Sequence, residues 1–340
     1  MRLNTKAALA TAAMIALSFS PAEALEAGAQ AQTKPGIFIG ASAGVPPPGI
    51  YMFNQVFTYQ GNLTGPGIKT VLGGSTKTGA QAAVDAQGFL FVPGWTFLGA
   101  TYDAVIVQAF VMQSLGAPLN VQFAGVHNTY VVPVELSWMF GNTGLGLKTG
   151  LGIFTPDGTT TGITKTGNTG APYWTFQPEL IVSYLKDGWN LSAAFYEEIN
   201  TANSVTGYRS GSIFHADFTA TKTIGQWTFG PVAYYYGQVS DDSCTSTTCR
   251  ATYAASGGTL GNTARSNVWA VGGLVGYNFG PASLSVWATQ EISANASNPA
   301  AVAATGSDFS LVPKGMTVLA TLNYRLWAPE EPAKPKLFHK

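Results

Sequence analysis

From Gly49 to Trp327 the sequence divides into about twelve stretches of two-residue alternation whose joins are short and long in strict turn. The stretches lie near residues 49–59, 82–93, 98–113, 128–140, 144–155, 172–185, 188–200, 211–224, 226–239, 267–280, 282–293 and 315–327. Turn formers mark the short joins: Pro93-Gly94 with its flank, Gly141-Asn142-Thr143, Lys186-Asp187-Gly188, Gly225-Gln226 and Gly280-Pro281. The long joins cover roughly 60–81, 114–127, 156–171, 201–210, 240–266 and 294–314. An even-stranded antiparallel barrel with both ends on one side produces this order, as membrane barrels of Gram-negative bacteria do. A β-sandwich has no reason to.

The alternation supplies the two faces. Leu191, Ala193 and Phe195 oppose Asn190, Ser192, Ala194, Tyr196, Glu198 and Asn200. Trp174, Phe176, Leu180, Val182 and Tyr184 oppose Thr175, Gln177, Glu179 and Ser183. Tyr130, Val132, Val134, Leu136, Trp138 and Phe140 are set against Glu135 and Ser137, and Val318, Ala320, Leu322, Tyr324 and Leu326 against Thr321, Asn323 and Arg325. A membrane barrel turns the apolar face to lipid, a sandwich turns it to the core. Alternation alone leaves both open; the connections favour the barrel.

Composition agrees. Charged residues make up 10% of the chain, against about 25% in soluble domains. Aromatics stand at 12% and glycine at 40 residues. The formal net charge is zero, which leaves no electrostatic footprint for nucleic acid. Arg2 and Lys6 followed by an apolar run from Ala7 to Phe19 and Ala22-Glu23-Ala24 read as a signal peptide over 1–24. That run is too short to span a bilayer, and no later one approaches the 18 or so apolar residues a membrane helix needs. The expected organisation is a signal peptide at 1–24, a periplasmic lead-in at 25–48, the barrel at 49–327 and a disordered periplasmic tail at 328–340. Leu25 to Pro48 is too short for the plug domain of an energy-coupled transporter.

The segments PPPGIYMFNQ from Pro46, GLGIFTPDG from Gly150, YWTFQPELIVSYLKDGWNLSAAF from Tyr173 and YRSGSIFHADF from Tyr208 carry a resemblance. They look like the SphA-like, MetA-pathway-of-phenol-degradation family of outer-membrane proteins. The resemblance covers most of the chain after residue 24 and is strongest between Tyr173 and Tyr236. It implies an outer-membrane β-barrel and uptake of small hydrophobic or aromatic compounds. The long 240–266 loop with two cysteines departs from the family pattern.

Where alternation is clean, the lumen-facing charges are Glu135, Lys148, Glu179, Glu198, Asp217, Glu291 and Arg325, with His215 on the face of Asp217. Such a set either lines a constriction that selects solutes or braces the wall by pairing across it. Arg209 opens the strand of His215 near the rim, where it meets an anion or stands exposed in a turn. Tyr234-Tyr235-Tyr236 places rings on both faces, which makes Tyr234 and Tyr236 the better aromatic candidates for contact with a solute. Trp174, Phe176, Trp227, Phe229, Trp269 and Tyr277 suit an interface girdle better than a cage.

Cys244 and Cys249 are the only cysteines, and an oxidising envelope favours a disulfide over a metal site that has no nearby histidine. A lipid hydrolase is the enzymatic alternative, with Ser210, Ser212, His215 and Asp217 as its material. His215 and Asp217 share one lumen face, however, and His127 and His339 lie in a loop and in the tail. No H-E-x-x-H occurs. The expectation is therefore a non-enzymatic outer-membrane channel without cofactor or metal. Its expected partners are outer-membrane lipid, small hydrophobic or aromatic solutes and the barrel-assembly machinery. The rival is a closed barrel that works through its long loops.

Overall fold

The computed structural model describes residues 31–160, 169–255 and 265–329. The expected signal peptide and the tail beyond 329 lie outside the described residues. Twelve long strands carry the fold. They are β1 (Gly49–Thr64), β2 (Gly79–Val92), β3 (Ala100–Leu115), β4 (Tyr130–Met139), β5 (Leu145–Phe154) and β6 (Thr175–Lys186), then β7 (Trp189–Asn200), β8 (Ile213–Ile224), β9 (Trp227–Gln238), β10 (Arg265–Asn278), β11 (Ala282–Ser297) and β12 (Val312–Trp327). Each pairs antiparallel with its sequence neighbours, and β1 pairs with β12 from Ile50↔Trp327 to Thr64↔Val312, so the sheet closes. No helix among the described residues is long and apolar enough to cross a membrane.

The short joins are tight because their residues accept positive φ. Lys186 pairs with Trp189 across Asp187 (φ 53°) and Gly188 (φ 77°), a two-residue hairpin whose twist matches that of the strands. At the long-loop end β1, β2, β3, β11 and β12 run past the predicted limits. There the outward positions turn polar, as Thr58, Gln60 and Asn62 do on β1, while the ladder continues. A reading that follows apolar residues stops too early. Val121–Val126 also pairs with β3, inside a predicted loop.

One face assignment is corrected. Partners step from Asp103↔Glu135 to Val105↔Val132, and from Glu135↔Gly150 to Val131↔Ile153, so β4 holds one residue more than either neighbour. The bulge contains Pro133, which has no N–H to give the ladder. It reverses the parity. Tyr130 and Val132 are buried inside, on the face of Glu135 and Ser137, while Val134 points outward.

The distribution of polarity is inside-out. Phe89, Ile106, Leu180, Leu191, Phe229, Val275 and Leu322 are exposed on the outer wall. Asp103, Glu135, Lys148, Glu179, Glu198, His215, Asp217 and Glu291 are buried within. Trp174, Phe176, Trp227, Phe229 and Trp269 stand exposed outside, as girdle residues do.

Two structured connections flank the mouth. Thr129, through its N–H and hydroxyl, and Thr155, through its hydroxyl, donate to Asp157 at 2.6–2.8 Å. Partial burial by itself would raise the Asp157 carboxyl, but these hydrogen bonds hold it below the usual range. Cys244 and Cys249 form a disulfide beside the two-residue ladder Tyr208–Arg209 with Ser243–Cys244. Closing so short a loop restrains the unfolded chain little. Serine at both positions is therefore expected to lower barrel stability by no more than about 2 kcal/mol, read from the temperature at which the folded band is lost on a gel. A larger loss would mean that the loop braces the wall.

Candidate functional site in the barrel lumen

Cross-strand register brings the predicted lumen residues into two adjoining rows. One runs Asp103, Glu135, Gly150, Glu179, Tyr196, His215 and Tyr236 over strands β3 to β9. The other runs Lys148, Ile181, Ala194, Asp217, Tyr234, Ala270 and Glu291 over β5 to β11. Beside these rows the lumen has an apolar part: Phe57, Val84, Val111, Val232, Val268, Leu274, Trp287 and Leu319 belong to one buried cluster.

A clamp joins the two rows. Lys148 Nζ lies 3.2 Å from Asp103 Oδ2 and 3.3 Å from Glu135 Oε2. Gly150 leaves the room for this: a Cβ there would stand 2.7 Å from Glu179 Oε1 and 3.0 Å from Glu135 Cγ. Three carboxylates thus gather about one ammonium. Buried charges of this kind persist only when paired.

The centre of the lumen is filled by residues 31–44. The sequence reading set 25–48 beneath the barrel; the described part of that lead-in, from residue 31 to about 44, instead runs inside the wall. Its backbone is a string of turns, with Ile37, Ile39 and Ala41 each donating to the carbonyl three residues back. It forms no strand and adds no rung to the sheet. Its spare N–H groups go to lumen side chains. Gln32 and Thr33 donate to Glu198, both at 2.7 Å. Gly36 and Phe38 donate to Asp217 at 3.0 and 2.9 Å. Gly40 donates to Thr219 and Ala43 to Ser183. In return Trp287 Nε1 donates to Gly36 O and Gln55 Nε2 to Ile37 O, both at 3.0 Å. Two of the carboxylates read from sequence as channel lining, Glu198 and Asp217, thus serve as acceptors for a segment that would otherwise bury unsatisfied backbone groups.

Lys34 ties the segment to the far wall. Its ammonium lies 3.6 Å from Glu291 Oε1, 4.5 Å from the centre of the Tyr59 ring and 5.7 Å from that of Tyr234. Glu291 also accepts from Tyr59 at 2.7 Å, Tyr234 at 2.8 Å and Gly315 N–H at 2.7 Å. Ion pairing and cation–π attraction both act there on a half-buried ammonium, against a carboxylate that is itself buried.

His215 is wholly buried. Gln177 Nε2 donates to its Nε2 at 2.9 Å, and Glu198 Oε1 is 3.8 Å away. Its carboxylate neighbour on β8, Asp217, accepts from Gly36 and Phe38 of the segment. Among the described residues no group of three or more His, Cys, Asp or Glu could hold a metal. Two predicted residues lie away from the centre. Arg209 is exposed in the loop region, its Nε donating to Asn200 O at 2.8 Å, outside the lumen. Arg325 stands at the short-turn end, hydrogen-bonded to Pro48 O with its guanidinium over the Tyr51 ring.

The family model described as "Putative MetA-pathway of phenol degradation" matches residues 60–305. Among solved structures, the COG4313 outer membrane channel from Pseudomonas putida F1 superposes with a TM-score of 0.63 at 10% identity, covering 86% of this chain and 99% of that one. The β domain of the Bordetella autotransporter BrkA is more distant, with a TM-score of 0.43 at 11% identity over 82% of this chain and 100% of that one. At such identities the likeness is one of fold. Among curated proteins nothing matches.

Proposed function

The chain belongs to the MetA-pathway phenol-degradation family, and from that premise we propose that it is an outer-membrane channel for passive uptake of small hydrophobic or aromatic compounds. The observation that carries this reading is the way the lumen is filled. Eight-stranded barrels are packed solid by their own wall side chains, and sixteen or more strands leave an aqueous channel. Twelve strands fall between, and here residues 31–44 occupy the difference through hydrogen bonds and one ion pair. Contacts of this kind can be exchanged for a solute or for water without breaking the sheet. The apolar outer wall suits a hydrocarbon environment, and the lumen offers aromatic and aliphatic surface beside its carboxylates.

Lipopolysaccharide slows hydrophobic solutes, so the test uses vesicles whose outer leaflet contains it. Protein reconstituted there is expected to speed entry of p-cresol and toluene, with little effect on a disaccharide. A barrel that inserts yet passes neither ions nor any of these solutes sinks the proposal. It would favour the rival, a closed barrel acting through its loops, which draws on the same filled lumen.

A further inference from the structure

We propose that the wall facing Phe38 is a binding site for one benzenoid ring, phenolic rings above all, and that Phe38 occupies it in place of the solute. The proposal rests on the uptake reading above and names the place where the solute would bind.

Phe38 is the only aromatic residue in 31–48, in a stretch otherwise rich in glycine, alanine and proline. Its ring stacks on Tyr196 at 4.5 Å between centroids and 23° between planes. His215 continues the stack, 4.8 Å from Tyr196 and 13° from parallel. Tyr130 closes the other side at 6.3 Å and is itself packed on Phe154 at 4.6 Å. Phe38 thus bridges two wall clusters, Tyr130, Val132 and Phe154 on one hand and Ile181, Ala194 and Tyr196 on the other. Stacked and tilted contacts at these separations are those a free benzene ring seeks.

The slot also carries unused polarity. Tyr130 Oη and His215 Nδ1 are buried and without hydrogen-bond partners among the described residues. Both are ring neighbours of Phe38. Buried polar atoms normally have partners. A phenylalanine ring cannot supply one; a phenolic hydroxyl can donate to or accept from them. The wall is therefore better matched to a hydroxylated ring than to the one that fills it. Phe38 is only half-buried, and the segment is tied there through backbone N–H groups to Asp217. Its ring can leave the slot while the backbone hydrogen bonds stay.

The test is saturable binding of 4-fluorophenol, followed by fluorine NMR on folded barrel in micelles. Micelles without protein define the partition background. A side chain that fills a site lowers apparent affinity by the fraction of time the site is empty. If that fraction is about a tenth or less, Phe38→Ala binds one equivalent at least about tenfold more tightly than the parent. Unlabelled phenol should displace the probe, cyclohexanol should not, and adding Tyr196→Ala should abolish binding. Phe38→Leu keeps apolar bulk without the ring and gives the same result should the alanine variant fold poorly. If neither variant binds the probe saturably, or if Tyr196→Ala leaves binding intact, the assignment is overturned. The two proposals fail separately: binding without flux removes the channel, and flux without binding removes the slot.

Discussion

Excision of residues 31–44, joining Gln30 to Val45, is expected to raise the single-channel conductance of the reconstituted barrel by about an order of magnitude. The wall should survive the loss. The segment adds no rung to the sheet, and every strand keeps both neighbours without it. Its acceptors, Glu198, Asp217, Thr219 and Ser183, would face water that enters in its place, and water satisfies them at little cost. The apolar part of the lumen loses only the cover that Ala31, Ile37 and Ile39 give it. Circular dichroism and the gel shift of the folded form should therefore stay near those of the parent while conductance rises. Unchanged conductance in a folded deletion would show that the lumen is closed elsewhere, with the Lys148 cluster or a long loop as the next place to look.

The wall of this protein was legible in its sequence; the contents of the lumen were not. Alternation marks a strand whenever one face meets an apolar surface and the other a polar one, and Asn190–Asn200 and Tyr173–Leu185 show it without interruption. It failed where geometry changed under it. Pro133 introduces an extra residue into β4, and the faces of Tyr130 and Val132 reversed with it. Asp103 escaped notice because its strand, TYDAVIVQAF, is apolar on both faces and its one charge looks accidental. The lumen segment left the weakest trace. It binds mainly through backbone N–H groups, which every residue carries, so Gly36, Gly40 and Ala43 reveal nothing of their partners. Glu198, His215 and Asp217 could be placed facing inward, but alternation within a strand is silent about a chain crossing the lumen. The one readable signal was the isolated Lys34, a single charge amid small residues.

Lys148→Met is expected to destabilise the barrel by about 3 kcal/mol, the usual cost of removing one partner from a buried ionic group. The reason lies in position as much as in charge. Lys148 on β5 reaches Asp103 on β3 and Glu135 on β4, and that residue pair stands where the register shifts around Pro133. The bulge interrupts the ladder on both sides of β4, so the three strands lose main-chain hydrogen bonds together. The lysine joins them again through side chains. Without it, Asp103, Glu135 and Glu179 face one another in a space with little water, and like charges there repel strongly. Pairing Lys148→Met with Glu135→Gln removes one of the excess charges and should restore part of the loss. Urea titration of the refolded barrel in phospholipid vesicles would measure both variants. A single variant within about 0.5 kcal/mol of the parent, the range of an ordinary surface change, would show that the strands need no ionic clamp at the bulge.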